Sequence, residues 1–120
     1  MDTLARVAVG LVAALHVWFL VLEMFLWTKP YGRRVFRLKP DYAVASAPLA
    51  KNQGLYNGFL AAGLIWGLFG GDCAFAVQVF FLACIVIAGV FGALTANRAI
   101  LWAQALPGAV ALALVVLARS

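Results

Sequence analysis

Residues 52–61 read NQGLYNGFLA and carry amide side chains and glycines at the start of an apolar run. Amide groups inside hydrocarbon are tolerated only where neighbouring segments or trapped water complete their hydrogen bonds, because lipid supplies no partners. Glycines at this spacing let another helix approach closely. The stretch therefore predicts a helix of a membrane protein that packs against others. Its amides are Asn52, Gln53 and Asn57, and its glycines are Gly54 and Gly58.

The composition indicates a protein that lies in a lipid bilayer. Of the 120 residues, 67% are hydrophobic and 11% are charged, and the mean hydropathy is +1.05. Soluble proteins carry about a quarter charged residues, and a soluble fold of this length would expose apolar patches. At about 20 residues per crossing, the chain accommodates four helices and one loop. We predict a single transmembrane domain over residues 1–120, an all-α integral membrane four-helix bundle.

Four apolar runs define the predicted spans. The first ends at Trp27 beside Lys29, an interfacial anchor that is typical of a retained helix and not of a cleaved signal peptide. Ser46 is predicted to cap the second span, with Pro48 in its first turn. Pro107 is predicted to bend the fourth. The predicted spans are residues 4–27, 47–69, 73–96 and 99–117.

The connection at residues 28–46 is basic and predicts the orientation of the chain. The positive-inside rule places this loop in the cytoplasm and both termini outside, as in a multi-pass protein of the bacterial inner membrane. Residues 33–39 interleave basic and apolar side chains, which predicts a short interfacial helix on anionic lipid headgroups. The alternative is a topology signal without any other role. The cytoplasmic basic residues would be Lys29, Arg33, Arg34, Arg37, Lys39, Lys51 and Arg98.

Polar residues of all four predicted helices lie at one level. At about 1.5 Å of rise per residue, Glu23 and Asn57 lie roughly 6 and 9 Å inside their nearest cytoplasmic anchors. Thr95 and Gln104 flank the last turn at a comparable depth. This coincidence predicts a polar pocket that opens to the cytoplasm and binds a small solute, an ion or a proton. The predicted ligand-binding residues are His16, Glu23, Asn52, Gln53, Tyr56, Asn57, Thr95 and Gln104.

His16 and Glu23 are the two ionisable residues inside the first span. Seven residues separate them, so both project from one face of the helix, with His16 roughly 10 Å deeper. Ionisable residues within a span are costly and indicate function, and this pair has the arrangement of a proton relay. The alternative is that both side chains form hydrogen bonds that only hold helices together.

Several other kinds of chemistry are excluded. One histidine cannot build a zinc site alone, and Cys73 and Cys84 lie roughly 16 Å apart along a helix, too far for a disulfide or a shared metal. Serine occurs only at 46 and 120, so no Ser-His-Asp set exists. We predict no metal and no cofactor. The net charge of +5 is explained by membrane topology, without nucleic acid.

The same motifs resemble a known family. Leu22–Phe25 with Trp27, the loop residues 32–36 and above all residues 52–61 are similar to the bacterial membrane proteins catalogued as domain of unknown function 1304. The resemblance extends through Ala88–Thr95 and Gln104–Pro107. It implies four predicted spans and no particular activity.

Two functions of different class follow from these observations. The first is a transporter or channel in which Glu23 is the counter-charge or proton carrier and the amides are neutral ligands. Because the outer half offers no evident exit, transport would require a homo-oligomer, which we expect, or a large rearrangement. The second is a membrane-embedded enzyme with isomerase-like acid/base chemistry on a lipid-soluble substrate, in which His16 and Glu23 would be catalytic. A non-catalytic accessory subunit is a third possibility.

Overall fold

This computed structural model describes residues 2–119, and the regular secondary structure in that range is entirely helical. The all-α prediction is confirmed, but the count of four helices is wrong, since the described residues form five α-helices, a short 3₁₀ turn and a π-helical segment. In chain order they are α1 (Thr3–Met24), α2 (Pro30–Phe36), α3 (Pro40–Phe69), the 3₁₀ turn (Gly71–Cys73), α4 (Ala74–Thr95), the π segment (Leu101–Ala105) and α5 (Leu106–Arg119).

Three helical stretches of the described residues are long and apolar enough to cross a membrane. They are Thr3–Met24, Gly71–Thr95 and Leu101–Arg119. Although α3 is the longest helix, with 30 residues, it is not among them, because charged and amide side chains lower the hydropathy of its first half. The structure therefore supports membrane insertion of three of the four predicted spans by length and composition.

Helix α3 begins earlier than the sequence predicted. It starts at Pro40, with Asp41 in the first turn, so Pro48 lies inside the helix and not near its start. A proline at the first position and an acidic residue next to it both favour helix initiation. Ser46 consequently does not cap a helix: its hydroxyl donates to the Tyr42 carbonyl at 2.7 Å, one turn back.

The chain forms two compact units. The first comprises the chain through Ala13 and from Ala62 onwards, and the second comprises Ala14–Ala61. In the first unit, α4 and α5 pack over buried aliphatic side chains and over glycines that permit close approach. A Cβ atom on Gly89 would lie 2.7 Å from the Ala105 backbone nitrogen, and one on Gly108 would lie 2.8 Å from an Ile85 methyl group. These two glycines therefore let α4 approach the π segment and α5 closely.

The fourth predicted span is interrupted by the π segment. The Leu106 N–H donates to the Leu101 carbonyl, five residues back, instead of four. Pro107 follows directly, and it has no N–H with which to continue the regular ladder. The structure thus shows a π turn just before Pro107, and the bend predicted at the proline itself stays a prediction.

In the second unit, Trp27 contacts both α2 and α3. Trp27 packs its ring against Phe36, with 4.8 Å between ring centroids, and its indole N–H donates to the Ser46 hydroxyl at 3.0 Å. Arg37 ends α2 in the left-handed conformation, with φ of 56° and ψ of 47°. The predicted loop is therefore mostly helical, with α2 near the position of the predicted short interfacial helix.

Candidate ligand-binding site

The structure joins Glu23 and Asn57. The Asn57 amide donates to Glu23 Oε1 at 2.5 Å, across from the last turn of α1 to the middle of α3. Both side chains are half-buried. The depth count put these two residues at one level, and their hydrogen bond lies wholly within the second unit.

Two glycines allow α1 and α3 to approach at this level. A Cβ atom on Gly54 would lie 2.5 Å from Met24 Cγ and 3.3 Å from the Glu23 Cβ, and one on Gly58 would lie 2.8 Å from a Leu20 methyl group. In the NQGLYNGFLA stretch, the two glycines therefore let α1 and α3 approach closely, and Asn57 binds the carboxyl group of Glu23.

The Glu23–Asn57 pair has the chemistry of a site for a proton or a cation. Asn57 holds one carboxyl oxygen in place, and the other oxygen can accept a further donor or a positive charge. An acidic residue in an apolar helix is costly, and its position near a helix end gives it access to the polar boundary. The pair can therefore orient a carboxyl group toward a small polar or cationic partner.

Among the described residues, the other polar side chains of this α3 segment form no hydrogen bond with Glu23. Asn52, Gln53 and Tyr56 are exposed, and the Tyr56 ring packs against Phe59 at 5.8 Å between centroids. Their assignment as ligand-binding residues stays a prediction.

His16 is fully buried on α1, two turns before Glu23. Its ring packs edge-on against Phe19, with 5.1 Å between ring centroids. The histidine is therefore enclosed by protein, and a role as proton relay or as catalytic partner of Glu23 stays a prediction.

Thr95 and Gln104 lie in the first unit and form hydrogen bonds there. The Thr95 hydroxyl donates to the Phe91 carbonyl of its own helix at 2.7 Å. The Gln104 amide donates to the Ile85 carbonyl of α4 at 3.2 Å. The Gln104 bond links the π segment to α4, whereas the Thr95 bond lies within α4, and the assignment of both residues as ligand-binding stays a prediction.

Sequence reasoning assigned no role to two polar contacts that the structure forms in the first unit. Gln78 is fully buried and donates to the Gly67 carbonyl at 2.7 Å, and Arg6 donates to the adjacent Leu68 carbonyl at 3.0 Å. Both bonds satisfy carbonyl groups in the last turn of α3, which have no partners within the helix. The sequence signal for this contact is Gln78 itself, the lone amide in an apolar run, which bonds to Gly67 in the preceding helix.

Asn57→Ala is expected to lower the free energy of unfolding by about 1–3 kcal/mol, because Glu23 loses its hydrogen-bond donor. Asn52→Ala is the matched control: the same change at an exposed position of the same helix should stay within about 0.5 kcal/mol of wild type. Thermal unfolding of the detergent-purified proteins measures both. Equal melting temperatures for the two variants would show that the Glu23–Asn57 bond does not hold the helices.

These features define an all-helical protein with helices long and apolar enough to cross a membrane and with a glutamate–asparagine hydrogen bond between two helices. Residues 10–116 match the family described as "Protein of unknown function (DUF1304)", and the chain belongs to this family. It is 30% identical over 105 residues to the "Uncharacterized protein YpaA" of Lactococcus lactis subsp. lactis (strain IL1403). That alignment covers 85% of this chain and 88% of the relative. No solved structure matches the chain.

Proposed function

We propose that this protein is a four-span membrane protein that binds a proton or a small cationic solute at Glu23 and moves it across the membrane. The observation that carries the proposal is the hydrogen bond from Asn57 to Glu23, made between two helices whose close approach depends on Gly54. A carboxyl group oriented in this way serves as counter-charge for a cation or as carrier of a proton.

The proposal includes α3 as a fourth crossing helix. Its second half is apolar, and its 30 residues would measure about 45 Å, longer than the hydrocarbon core. Residues 40–51 would then lie at the membrane interface, and Asn57 would lie within the membrane. There its amide would be hydrogen-bonded to Glu23. This bond supports the insertion of a polar helix because an unsatisfied amide would otherwise be costly in lipid.

The same proposal orients the protein in the bacterial inner membrane. With residues 28–46 in the cytoplasm and both termini outside, seven of the nine basic residues are cytoplasmic. In α2, Arg33 is half-buried while Arg34 is exposed and lies 5.8 Å from the Tyr31 ring centroid, a basic and aromatic combination that suits anionic lipid headgroups. Glu23 would then face the cytoplasmic side. We also propose a homo-oligomer, which would supply the exit path that one chain lacks.

Binding is tested by thermal unfolding of the detergent-purified protein in sodium chloride, potassium chloride and ethylamine hydrochloride at matched ionic strength. A cation that binds the folded state raises the wild-type melting temperature, and Glu23→Gln should abolish the rise. Asp41→Asn is the matched control, because it removes an exposed carboxylate from the same unit. The proposal fails if Glu23→Gln and Asp41→Asn respond to every cation as the wild type does.

A further inference from the structure

A groove of about 390 Å³ lies where the end of α4 meets the π segment. This volume is in the range of small-molecule and lipid sites. Apolar side chains of both elements form its walls, and the turn between them contributes one charged side chain. The lining residues are Val90, Ala93, Leu94, Arg98, Leu101 and Trp102.

The groove follows from the way the two elements pack. Gly89 and Ala105 bring their backbones together, while the Asn97 side chain accepts the Ala99 N–H at 2.9 Å and fixes the connecting turn. On the groove side the walls stay open: Leu94 is 81% exposed and Trp102 is 67% exposed. The groove therefore starts at the turn and runs along α4, between exposed apolar walls.

Arg98 stands at the turn end of this groove without an acidic residue nearby in the sequence. No aspartate or glutamate follows Asp72, and Asp72 precedes α4 whereas Arg98 follows it. The 22 residues of α4 put about 33 Å between these two ends. The groove therefore combines one cation, exposed apolar walls and an interfacial tryptophan.

We propose that this groove binds a phospholipid with an anionic headgroup. The headgroup phosphate pairs with Arg98, and the first methylenes of an acyl chain lie along Leu94 and Val90, beside the Trp102 ring. A water-soluble anion would leave the apolar walls unused, whereas a zwitterionic phospholipid would bring a cation that offsets the charge of its phosphate beside Arg98. The groove shares no residue with the Glu23–Asn57 pair and does not depend on the function proposed for that pair.

Native mass spectrometry of the detergent-purified full-length protein tests this assignment with phosphatidylglycerol and phosphatidylcholine that carry the same acyl chains. We expect the wild type to retain phosphatidylglycerol preferentially. Arg98→Gln should weaken phosphatidylglycerol binding about fivefold, the effect of one basic residue at an anionic headgroup, and Arg98→Lys should largely preserve it. Arg119→Gln is the matched control, since it removes the same charge at the last residue of α5, which does not line the groove.

A second variant tests the apolar part of the site. Ala93→Leu keeps Arg98 but fills the groove, and it should reduce phosphatidylglycerol binding while Arg119→Gln does not. The assignment is overturned if the wild type retains both lipids equally, or if Arg98→Gln and Arg119→Gln weaken binding by the same factor. It is also overturned if Ala93→Leu breaks a dimer in the same spectra and leaves lipid binding unchanged, since the groove would then be an interface between copies.

Discussion

Gly32→Ala is expected to lower the free energy of unfolding by about 3 kcal/mol, because the added methyl group has no space at the end of α1. Its Cβ atom would overlap the Leu26 carbonyl oxygen and lie 2.5 Å from the Leu26 carbonyl carbon. Both atoms belong to the backbone, so no side-chain rotation relieves the overlap. The same carbonyl accepts the Lys29 N–H at 3.0 Å, and α2 must therefore move away from the end of α1 or break this turn.

Thermal unfolding of the detergent-purified variant measures the effect, and we expect the melting temperature to fall by about 10 °C or more. Gly10→Ala is the matched control, because a Cβ atom on Gly10 meets nothing within 4 Å. That change should stabilise α1 by about 0.5–1 kcal/mol, since alanine is a better helix former than glycine. If Gly32→Ala melts with Gly10→Ala, α2 does not pack on Leu26 as described.

Gly89→Ala is expected to cost about 2–3 kcal/mol, because it separates α4 from the π segment. The new Cβ atom would lie 2.7 Å from the Ala105 nitrogen and 2.9 Å from the Ala105 Cα and Cβ atoms. Helices in lipid associate through such close packing, without a hydrophobic force between them, so the contact is not replaced by another. The Gln104 bond to the Ile85 carbonyl should be lost with it.

Gly92→Ala, three residues further along α4, is the control for this prediction. Its Cβ atom would meet only the Ile100 side chain, at 3.2 Å or more, and a flexible side chain can shift by that amount. We expect a change in melting temperature of a few degrees at most for Gly92→Ala and of several degrees more for Gly89→Ala. The reverse order would show that α4 meets the π segment on a different face.

Much of this architecture could be predicted because it depends on hydropathy and on position along a helix axis. Long apolar runs predicted α1, α4 and the last helix, and a fixed rise per residue put Glu23 and Asn57 at one level, where the structure joins them. Small residues four apart marked the faces where helices approach. Hydropathy, depth along the axis and residue spacing are properties of one segment, so they can be read from the sequence without knowing which helices pack against it.

The rest depends on rotation about each axis and on where neighbouring elements end. Asn52 and Gln53 stand in the same motif as Asn57 but are exposed, whereas Ala50 and Gly54, on another face of the same helix, are buried. The depth of a residue along the helix axis does not show whether its side chain faces a neighbouring helix. Only the structure shows that these two amides are exposed while Asn57 bonds to Glu23.

The ends of α3 and α5 were also beyond the sequence pattern. Helix α3 continues into the basic segment because Pro40 and Asp41 start it there, whereas a boundary drawn from apolarity alone falls near residue 47. The irregularity at Pro107 was evident, but its form was not: a π turn and a simple bend both accommodate a missing N–H.

Flux in proteoliposomes is the measurement that bears most on the role of Glu23. Wild type, Glu23→Gln and Asp41→Asn would be reconstituted at equal density, and proton and cation movement would be followed with a dye inside the vesicles. We predict flux for the wild type and Asp41→Asn, and flux at the level of protein-free vesicles for Glu23→Gln. Identical flux of protons and cations through the wild type and Glu23→Gln would contradict the proposed function.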